Sequence, residues 1–206
     1  MPPYVVIIAN GELPSRSKVR GIVRQASRVI CADGGARHAL RFGIHPDVVT
    51  GDLDSLPQGI LKRLGSSEIV VSKSQNQTDL EKAIRYLLRE RARRIVILGA
   101  TGKRIDQTLA NIALLEKYQG KANLTLVDAT GEIEIVDSRT RFRGRPGAIV
   151  SLLPIGKAAR VTTKGLRYSL KNELLELGSR GVSNVVVRPV VEIEIHRGRL
   201  LLVKLF

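Results

Sequence analysis

The sequence predicts an α/β protein: an N-terminal, mostly parallel Rossmann-like sheet with flanking helices, followed by a C-terminal antiparallel β-sandwich. Two observations predict it. Apolar runs alternate with helical stretches up to about residue 128, whereas later segments alternate apolar and polar residues with period two. We therefore expect two domains, 1–128 and 129–206.

Six apolar runs in the first domain indicate buried strands of a parallel sheet, because such strands are covered on both faces. They are Tyr4–Ala9, Val29–Ala32, Asp47–Thr50, Ile69–Val71, Ile95–Leu98 and Leu124–Val127.

Two helices between these runs can be placed from their periodicity. The first begins near Asp79, because Thr78 and Glu81 fit a capping box. The second runs from Ile105 to about Tyr118. Its spacing predicts an inward face made of Ile105, Leu109, Ile112 and Ala113.

Short strands separated by glycine and proline turns follow in the second domain. The clearest alternate with period two, at Glu132–Val136 and Val191–His196. Two more lie between them, at Ala148–Leu153 and Val182–Val187. About 80 residues of this kind make a thin core, so packing against a partner surface would help.

The net charge and the distribution of basic residues limit the kinds of partner that this protein can have. The 206 residues carry a net charge of +15, from 34 lysines and arginines against 19 acids. Such an excess attracts polyanions, but the bases are spread in short groups such as Arg89 to Arg94, which is typical of a solvated helix face. We do not expect nucleic acid as the partner.

The single cysteine, Cys31, excludes an internal disulfide and a thiolate metal cluster. The three histidines lack metal-ligand spacing. The run Tyr4–Ala9 is too short for a signal sequence, and no segment approaches the length of a membrane span. We expect a soluble, cytoplasmic protein.

Acids and glycines follow three of the predicted strands. Asp52 and Asp54 come after Val48-Val49, Asp33-Gly34-Gly35 follows Val29–Ala32, and Gly99 to Asp106 follows Ile95–Leu98. Open α/β sheets bind ligands outside the carboxyl ends of their strands, so these turns should meet in one crevice. None of them is a Walker loop or a dinucleotide fingerprint.

Two acid–base pairs add to this pattern: Asp79 with Lys82, and Arg104 with Asp106. Carboxylates hold Mg²⁺, while lysine and arginine balance charge on phosphoryl oxygens. The residues therefore favour a Mg-nucleotide enzyme of phosphoryl or pyrophosphoryl transfer. Turn-forming aspartates and aspartates that favour a helix dipole remain alternative interpretations.

The joint pattern of motifs resembles the thiamine pyrophosphokinase family, in the right order over most of the chain. The matching stretches are Ala32-Asp33-Gly34-Gly35-Ala36, Pro46-Asp47 with Gly51-Asp52-x-Asp54-Ser55, Gln75-x-x-Thr78-Asp79-x-x-Lys82-Ala83, Gly99-x-x-Gly102-x-Arg104-x-Asp106 with Asn111, Val150 to Pro154, Gly165-Leu166-Arg167-Tyr168-x-Leu170 and Gly181-Val182-Ser183-Asn184.

The resemblance implies a homodimer with shared active sites, each subunit pairing an α/β domain with a β-sandwich. It implies transfer of the pyrophosphoryl group of ATP to the hydroxyethyl oxygen of thiamine, with Mg²⁺ and release of AMP. The sandwich domain would bind thiamine and mediate dimerisation.

Residue roles carried over by motif fall into three groups. Mg²⁺ and catalysis would involve Asp52, Asp54, Asp79 and Asp106, with Lys82 and Arg104 on the phosphates. Asp106 would lie near the attacking hydroxyl as metal ligand or proton acceptor. ATP binding would add Asp33, Gly34, Gln75, Thr101, Gly102 and Asn111, and thiamine binding would use Tyr168, Ser183 and Asn184.

Two positions depart from the family pattern. Gln107 stands where many relatives have His, which argues against His-based proton transfer there. Tyr168 stands where some relatives have Trp, so less stacking area is available.

Two other functions are compatible with parts of the pattern. A pyrophosphokinase for another alcohol, such as a hydroxymethylpterin, would share the α/β core. A non-catalytic nucleotide- or nucleic-acid-binding protein would use the positive charge, but it would not need several acids at strand ends.

Overall fold

The computed structural model describes residues 3–52, 57–71 and 76–206, with side chains placed for all of these except 157–159. The chain divides into two units, Met1–Ala129 and Thr130–Phe206.

Six parallel strands form the sheet in the described part of the first unit, in the order β6-β5-β1-β2-β3-β4. The strands are β1 (Tyr4–Ile8), β2 (Ala26–Ala32), β3 (Val48–Gly51), β4 (Glu68–Val71), β5 (Arg94–Leu98) and β6 (Asn123–Val127). The helices are α1 (Arg16–Val23), α2 (Gly35–Arg41), α3 (Gln58–Leu64), α4 (Asp79–Arg89) and α5 (Ile105–Lys117). All six strands predicted from apolar runs are confirmed within a few residues.

Successive residues of a strand point to opposite faces of the sheet. Strands β1, β2, β3 and β5 are buried on both faces, whereas most of the edge strand β4 is exposed. Val6 and Ile8 of β1 pack in one cluster with Val19 of α1 and Leu40 of α2. Ile7 is equally buried and faces the other way, toward the side on which α4 packs across β1, β2 and β3. Burial on two faces explains why these strands show apolar runs instead of alternation.

The chain order reverses beside β1. Strands β2, β3 and β4 extend from one side of β1, and the chain then returns to add β5 and β6 on its other side. The carboxyl ends of β1 and β5 therefore border a topological switch point, where α/β sheets bind ligands.

Helix α4 begins where the capping signal predicts. Thr78 Oγ1 accepts a hydrogen bond of 3.2 Å from the backbone N–H of Glu81. The reciprocal half of the predicted capping box does not form. The buried Glu81 carboxylate instead accepts from Tyr118 OH at 2.7 Å and pairs with Lys117 Nζ at 2.6 Å, which joins α4 to the end of α5.

Helix α5 presents a different face from the one predicted. Ile105 and Leu109 are 80% and 63% exposed, while Asn111, Leu114 and Leu115 are buried. The predicted inward face is therefore wrong for Ile105, Leu109 and Ala113, which are exposed, and Ile112 is half-buried. Asn111 faces inward because its side-chain amide donates a hydrogen bond to the backbone carbonyl of Ala100, in the loop after β5.

The second unit is built from two antiparallel sets of strands. One set has the order β12-β9-β14-β7 and the other β11-β10-β13-β8. The strands are β7 (Gly131–Val136), β8 (Arg139–Arg143), β9 (Ile149–Pro154), β10 (Lys157–Lys164), β11 (Glu173–Glu176), β12 (Asn184–Val185), β13 (Val190–Arg197) and β14 (Leu200–Leu205).

Residues from both sets share one core. Leu152 of β9 and Leu202 of β14 lie in the same buried cluster as Val161 of β10 and Ile193 of β13. The predicted β-sandwich is therefore confirmed. The predicted strand over Val182–Val187 is largely loop, with only Asn184–Val185 in strand β12.

Strand β8 was not predicted from the sequence. It lies at the edge of its sheet and pairs with β13, and its arginines 139, 141 and 143 are exposed while the residues between them are half-buried. An arginine-rich edge resembles a loop in composition, although its period-two alternation is that of a strand. Every helix in the described part of the chain falls short of the length and hydrophobicity that a membrane span requires.

The contact between α4 and α5 gives a stability prediction. Burial alone would raise the pKa of Glu81, but the hydrogen bonds from Lys117 and Tyr118 outweigh it and hold the pKa of this carboxyl below its usual value. We expect Glu81→Gln to lower the free energy of unfolding by about 2 kcal/mol at pH 7, since hydrogen bonds to a charged group are lost.

The difference between wild type and Glu81→Gln should depend on pH. A carboxylate whose pKa is lowered by folding contributes fully above its unfolded pKa of about 4.3, and the contribution disappears as pH falls through the folded pKa. Urea unfolding at pH 7 and below pH 4 measures this. Glu90→Gln, which removes an exposed pairing with Arg28, is the control and should change stability little. A pH-independent difference for Glu81→Gln would contradict the assignment.

Candidate functional site

A cleft of about 350 Å³ opens at the carboxyl ends of β1 and β5. Its walls come from the segments that follow β1, β2 and β5 and from the first turns of α4 and α5. The cleft lies at the switch point of the sheet. It brings together the predicted turns after β2 and β5, whereas Asp52, which follows β3, does not line it.

Backbone hydrogen bonds join the segments after β1 and β5. Ala9 N–H donates to Leu98 O at 2.8 Å, Gly11 N–H to Gly99 O at 2.6 Å, and Glu12 N–H to Thr101 O at 2.8 Å. These bonds continue the pairing of the two strands beyond the sheet. They fix the floor of the cleft with main-chain atoms.

Glycine is required at this junction because the two segments approach closely. A Cβ on Gly11 would lie 2.4 Å from the carbonyl oxygens of both Gly99 and Thr101. Gly99 also has a φ of +69°, in the left-handed region that favours glycine.

The turn after β2 brings Asp33 to the cleft. Asp33 is buried and has a φ of 41°, and its N–H donates to Thr50 O at 2.7 Å, which ties the turn to β3. Gly34 lies under the Asn10 side chain, where a Cβ would come within 2.6 Å of the amide. The predicted role of Gly34 is thus compatible with close packing at the cleft, although Gly34 itself does not line it.

The start of α4 carries the first predicted acid–base pair. Lys82 Nζ lies 2.9 Å from Asp79 Oδ1, with the lysine buried and the aspartate half-exposed. Asp79 lines the cleft and Lys82 lies behind it. The buried ammonium offsets the charge of the carboxylate and keeps it oriented.

The second predicted pair lies at the start of α5. Arg104 binds Asp106 through two bonds, Nε to Oδ1 at 3.1 Å and Nη2 to Oδ2 at 2.5 Å. The Arg104 hydrogen bond, with a further bond from the Gln107 N–H, lowers the pKa of the Asp106 carboxyl. Both carboxylate oxygens of Asp106 are thus engaged by Arg104, which lines the cleft.

Asn111 contributes a hydrogen-bond acceptor to the cleft. Its side chain is buried, and Nδ2 donates to Ala100 O at 2.8 Å. Within the described ranges, its Oδ1 has no hydrogen-bond partner. A buried amide oxygen of this kind is suited to receive a donor from a bound molecule.

Of the predicted metal ligands, Asp54 lies outside the described residues, as does Gln75, which was predicted to bind ATP. Asp52 is described just after β3 but does not line the cleft. Among residues 3–52, 57–71 and 76–206, no group of three His, Cys, Asp or Glu side chains is close enough to hold a metal ion.

The residues predicted to bind thiamine lie together in the second unit. Asn184 is buried, and its side-chain amide makes two hydrogen bonds to the backbone of Tyr168. Oδ1 accepts from Tyr168 N–H at 3.0 Å, and Nδ2 donates to Tyr168 O at 2.8 Å. The Tyr168 residue is 66% exposed. Ser183 is also exposed, and its N–H donates to Ser151 Oγ at 3.0 Å.

Five of the predicted residues line the cleft of the first unit: Asp33, Asp79, Thr101, Arg104 and Asn111. Gly102, Lys82 and Asp106 lie beside these without lining it. The sequence prediction omitted Asn10 and Lys103, which also line the cleft. The rule that polar residues after parallel strands face the ligand could have identified Asn10, and the cation beside Gly102 could have indicated Lys103.

Two family models match the chain in succession. "Thiamin pyrophosphokinase, catalytic domain" matches residues 19–127, and "Thiamin pyrophosphokinase, vitamin B1 binding domain" matches residues 133–200. The two matches fall within the two structural units.

Curated relatives extend the similarity over nearly the whole chain. Thiamine pyrophosphokinase 1 of Oryza sativa subsp. japonica is 28% identical over 220 residues, covering 92% of this chain and 83% of the relative. Thiamine pyrophosphokinase of Bacillus subtilis is 26% identical over 213 residues, covering 96% of each. The crystal structure of the Bacillus subtilis protein superposes with a TM-score of 0.86 at 24% identity, over 98% of both chains, which supports the fold.

The close approach at Gly11 predicts a steric effect. Gly11→Ala should lower the free energy of unfolding by about 2 kcal/mol, because backbone carbonyls cannot move aside as a flexible side chain would. The matched control is Gly21→Ala on α1, where nothing lies within 4 Å of the added methyl group. That variant should be neutral or up to about 1 kcal/mol more stable. Urea unfolding measures both, and equal stabilities would contradict the close junction.

Proposed function

The chain belongs to the thiamine pyrophosphokinase family, and on that premise we propose that it transfers the pyrophosphoryl group of ATP to the hydroxyethyl oxygen of thiamine. The products are thiamine diphosphate and AMP. The observation that carries the proposal is the cleft at the β1–β5 switch point, which is lined by Asp79 and Arg104, each in an acid–base pair.

Arg104 is suited to bind the phosphate chain of ATP. Its guanidinium lines the cleft and is already held in a planar, two-bond geometry by Asp106. Arginine presents several N–H donors at once, so Asp106 can orient one edge while another faces a phosphate oxygen. We assign Asp106 to orienting Arg104, since both of its carboxylate oxygens bond to the guanidinium.

The residues of the cleft fit Mg²⁺. Two carboxylates line it, Asp33 and Asp79. Magnesium is commonly held by one or two carboxylates together with substrate phosphates and waters, so a preformed cage of three acids is not needed. Asp52 and Asp54, after β3, would supply further oxygens. When bound, the metal would offset the charge that develops on the phosphoryl oxygens.

In-line attack requires the hydroxyl and the β-phosphorus to be held close together. Lys82 keeps Asp79 oriented from behind, and Asn111 Oδ1 can accept a donor from the nucleotide. On the thiamine side, the exposed Tyr168 ring offers a stacking surface, and Asn184 acts indirectly by fixing the backbone of Tyr168.

Product analysis tests the proposed function. The purified protein is incubated with ATP, Mg²⁺ and thiamine, and nucleotides and thiamine esters are separated. AMP and thiamine diphosphate in equal amounts are expected. ADP would indicate an ordinary kinase, and turnover with a hydroxymethylpterin but not with thiamine would indicate a different acceptor alcohol. The absence of any turnover would contradict an enzymatic role.

The exposed ring of Tyr168 gives a substrate-specific prediction. Tyr168→Ala should raise the thiamine KM several-fold and leave the ATP KM nearly unchanged, because an aromatic contact is worth about 1 kcal/mol beyond its area. Steady-state kinetics measure both constants. Tyr168→Phe keeps the ring and is the control, with near wild-type values expected. Equal increases in both KM values for Tyr168→Ala would assign the tyrosine to structure alone.

We also propose that the protein is a homodimer. Ile105 and Leu109 present an apolar surface on α5, at the same end of the helix as Arg104. In the second unit, Leu177 and Val182 are exposed as well. Apolar surface next to a polar site is typical of an interface between subunits, and a second copy of the chain is the partner that the family resemblance implies.

Subunit mixing tests whether the active sites are shared. If Asp79 and Tyr168 of one site come from different subunits, mixed dimers of Asp79→Asn and Tyr168→Ala each contain one intact site. Random pairing makes half of the dimers mixed, so activity at low thiamine should recover to about a quarter of wild type.

A matched mixture controls for this recovery. Asp79→Asn and Arg104→Gln both alter the first unit, so neither site of their mixed dimer is intact and no recovery is expected. If mixed dimers of Asp79→Asn and Tyr168→Ala form but the mixture is no more active than the average of the two parents, each site belongs to one subunit.

A further inference from the structure

Among the described residues, Lys103 is a cleft cation without a carboxylate partner. The described cations that line the cleft are Lys103 and Arg104, and Arg104 is bound by Asp106. Within the described part of the chain, the polar contact of Lys103 Nζ is with the neutral Asn10 Oδ1, at 3.4 Å. That hydrogen bond is long, and it leaves the ammonium charge uncompensated.

The loop that carries Lys103 is held in place. Gly102 has a φ of +94°, and a Cβ there would lie 2.6 Å from the Glu12 side chain. On the preceding residue, Thr101 O accepts from Glu12 N–H at 2.8 Å and Thr101 Oγ1 donates to Asp128 Oδ2 at 3.3 Å. Lys103 therefore extends from an anchored backbone.

Lys103 acts on a histidine near the cleft. His38 of α2 bonds to the Asn10 backbone, and its pKa is lowered by burial and then by the charge of Lys103, with smaller effects from Arg37 and Arg41. Lys103 and Arg104 line the same partly enclosed cleft and, as like charges, repel one another. An anion bound between them would relieve that repulsion.

We propose that Lys103 is an additional phosphate-binding residue, whose Nζ contacts an anionic oxygen of the ATP phosphate chain on the Asn10 side of the cleft. This inference rests on the proposed function. Thiamine carries a cationic thiazolium ring, which Lys103 would repel. The lysine therefore selects the polyphosphate for this side of the cleft and keeps the thiazolium away from it.

Kinetics of Lys103→Met test the proposal, because methionine keeps the unbranched chain and removes the charge. The ATP KM should rise about tenfold or more, in line with the loss of a charge-assisted hydrogen bond, while the thiamine KM stays within about twofold. Lys103→Arg should recover most of the affinity. Lys62→Met, at an exposed lysine of α3 outside the cleft, is the control and should behave as wild type.

His38 provides a readout that does not depend on turnover. NMR titration of the histidine ring should show a higher pKa in Lys103→Met than in wild type, because one repelling cation is gone. Adding ATP without metal should raise the pKa of His38 in wild type and raise it much less in Lys103→Met. The other charged groups that act on this ring, Arg37 and Arg41, are present in both proteins.

The product analysis and the Lys103→Met kinetics distinguish the assignment of Lys103 from the proposed function. If wild type forms AMP and thiamine diphosphate but Lys103→Met has an unchanged ATP KM, the assignment of Lys103 is wrong and the proposed function stands. If wild type forms neither product, the proposed function is wrong. In that case an ATP-induced shift of the His38 pKa that needs Lys103 still supports a phosphate site, and no such shift overturns it.

Discussion

The backbone junction between the segments after β1 and β5 is the constraint on which the cleft depends. These are neighbouring parallel strands, and their pairing continues past Ile8 and Leu98 through main-chain bonds that only glycine at residue 11 allows to form. The junction sets the direction in which the following loop leaves the sheet. The positions of Thr101, Lys103 and Arg104 follow from it, since all three belong to that loop.

Two of the charged groups that line the cleft are paired before any substrate binds. Asp79 with Lys82 and Arg104 with Asp106 each bring opposite charges into contact. Pairing lowers the cost of holding charged groups together in a partly enclosed site. It also fixes their orientation in advance, which is the form of electrostatic preorganisation that phosphoryl chemistry uses.

Sequence patterns predicted the parallel sheet, because strands that are buried on two faces have long apolar runs. They also predicted a crevice, because polar residues that follow parallel strands lie at the carboxyl edge of the sheet. The predictions were wrong where tertiary contacts outweigh helical periodicity. Ile105 and Leu109 have helical spacing but are exposed, while Asn111 is buried to cap Ala100. The Glu81 side chain does not complete the predicted capping box. It accepts a hydrogen bond from Tyr118 instead, a partner 37 residues away that no local pattern indicates.

The arginines of β8 bear on how copies of the chain can meet. An edge strand offers unpaired N–H and C=O groups on which another strand can assemble, and β8 lies at such an edge with residues 139, 141 and 143 pointing outward. Arg139 and Arg141 pair with Glu192 of β13, which compensates part of their charge. Two copies approaching at β8 would still bring three arginines of each chain together, so repulsion opposes strand addition at this edge.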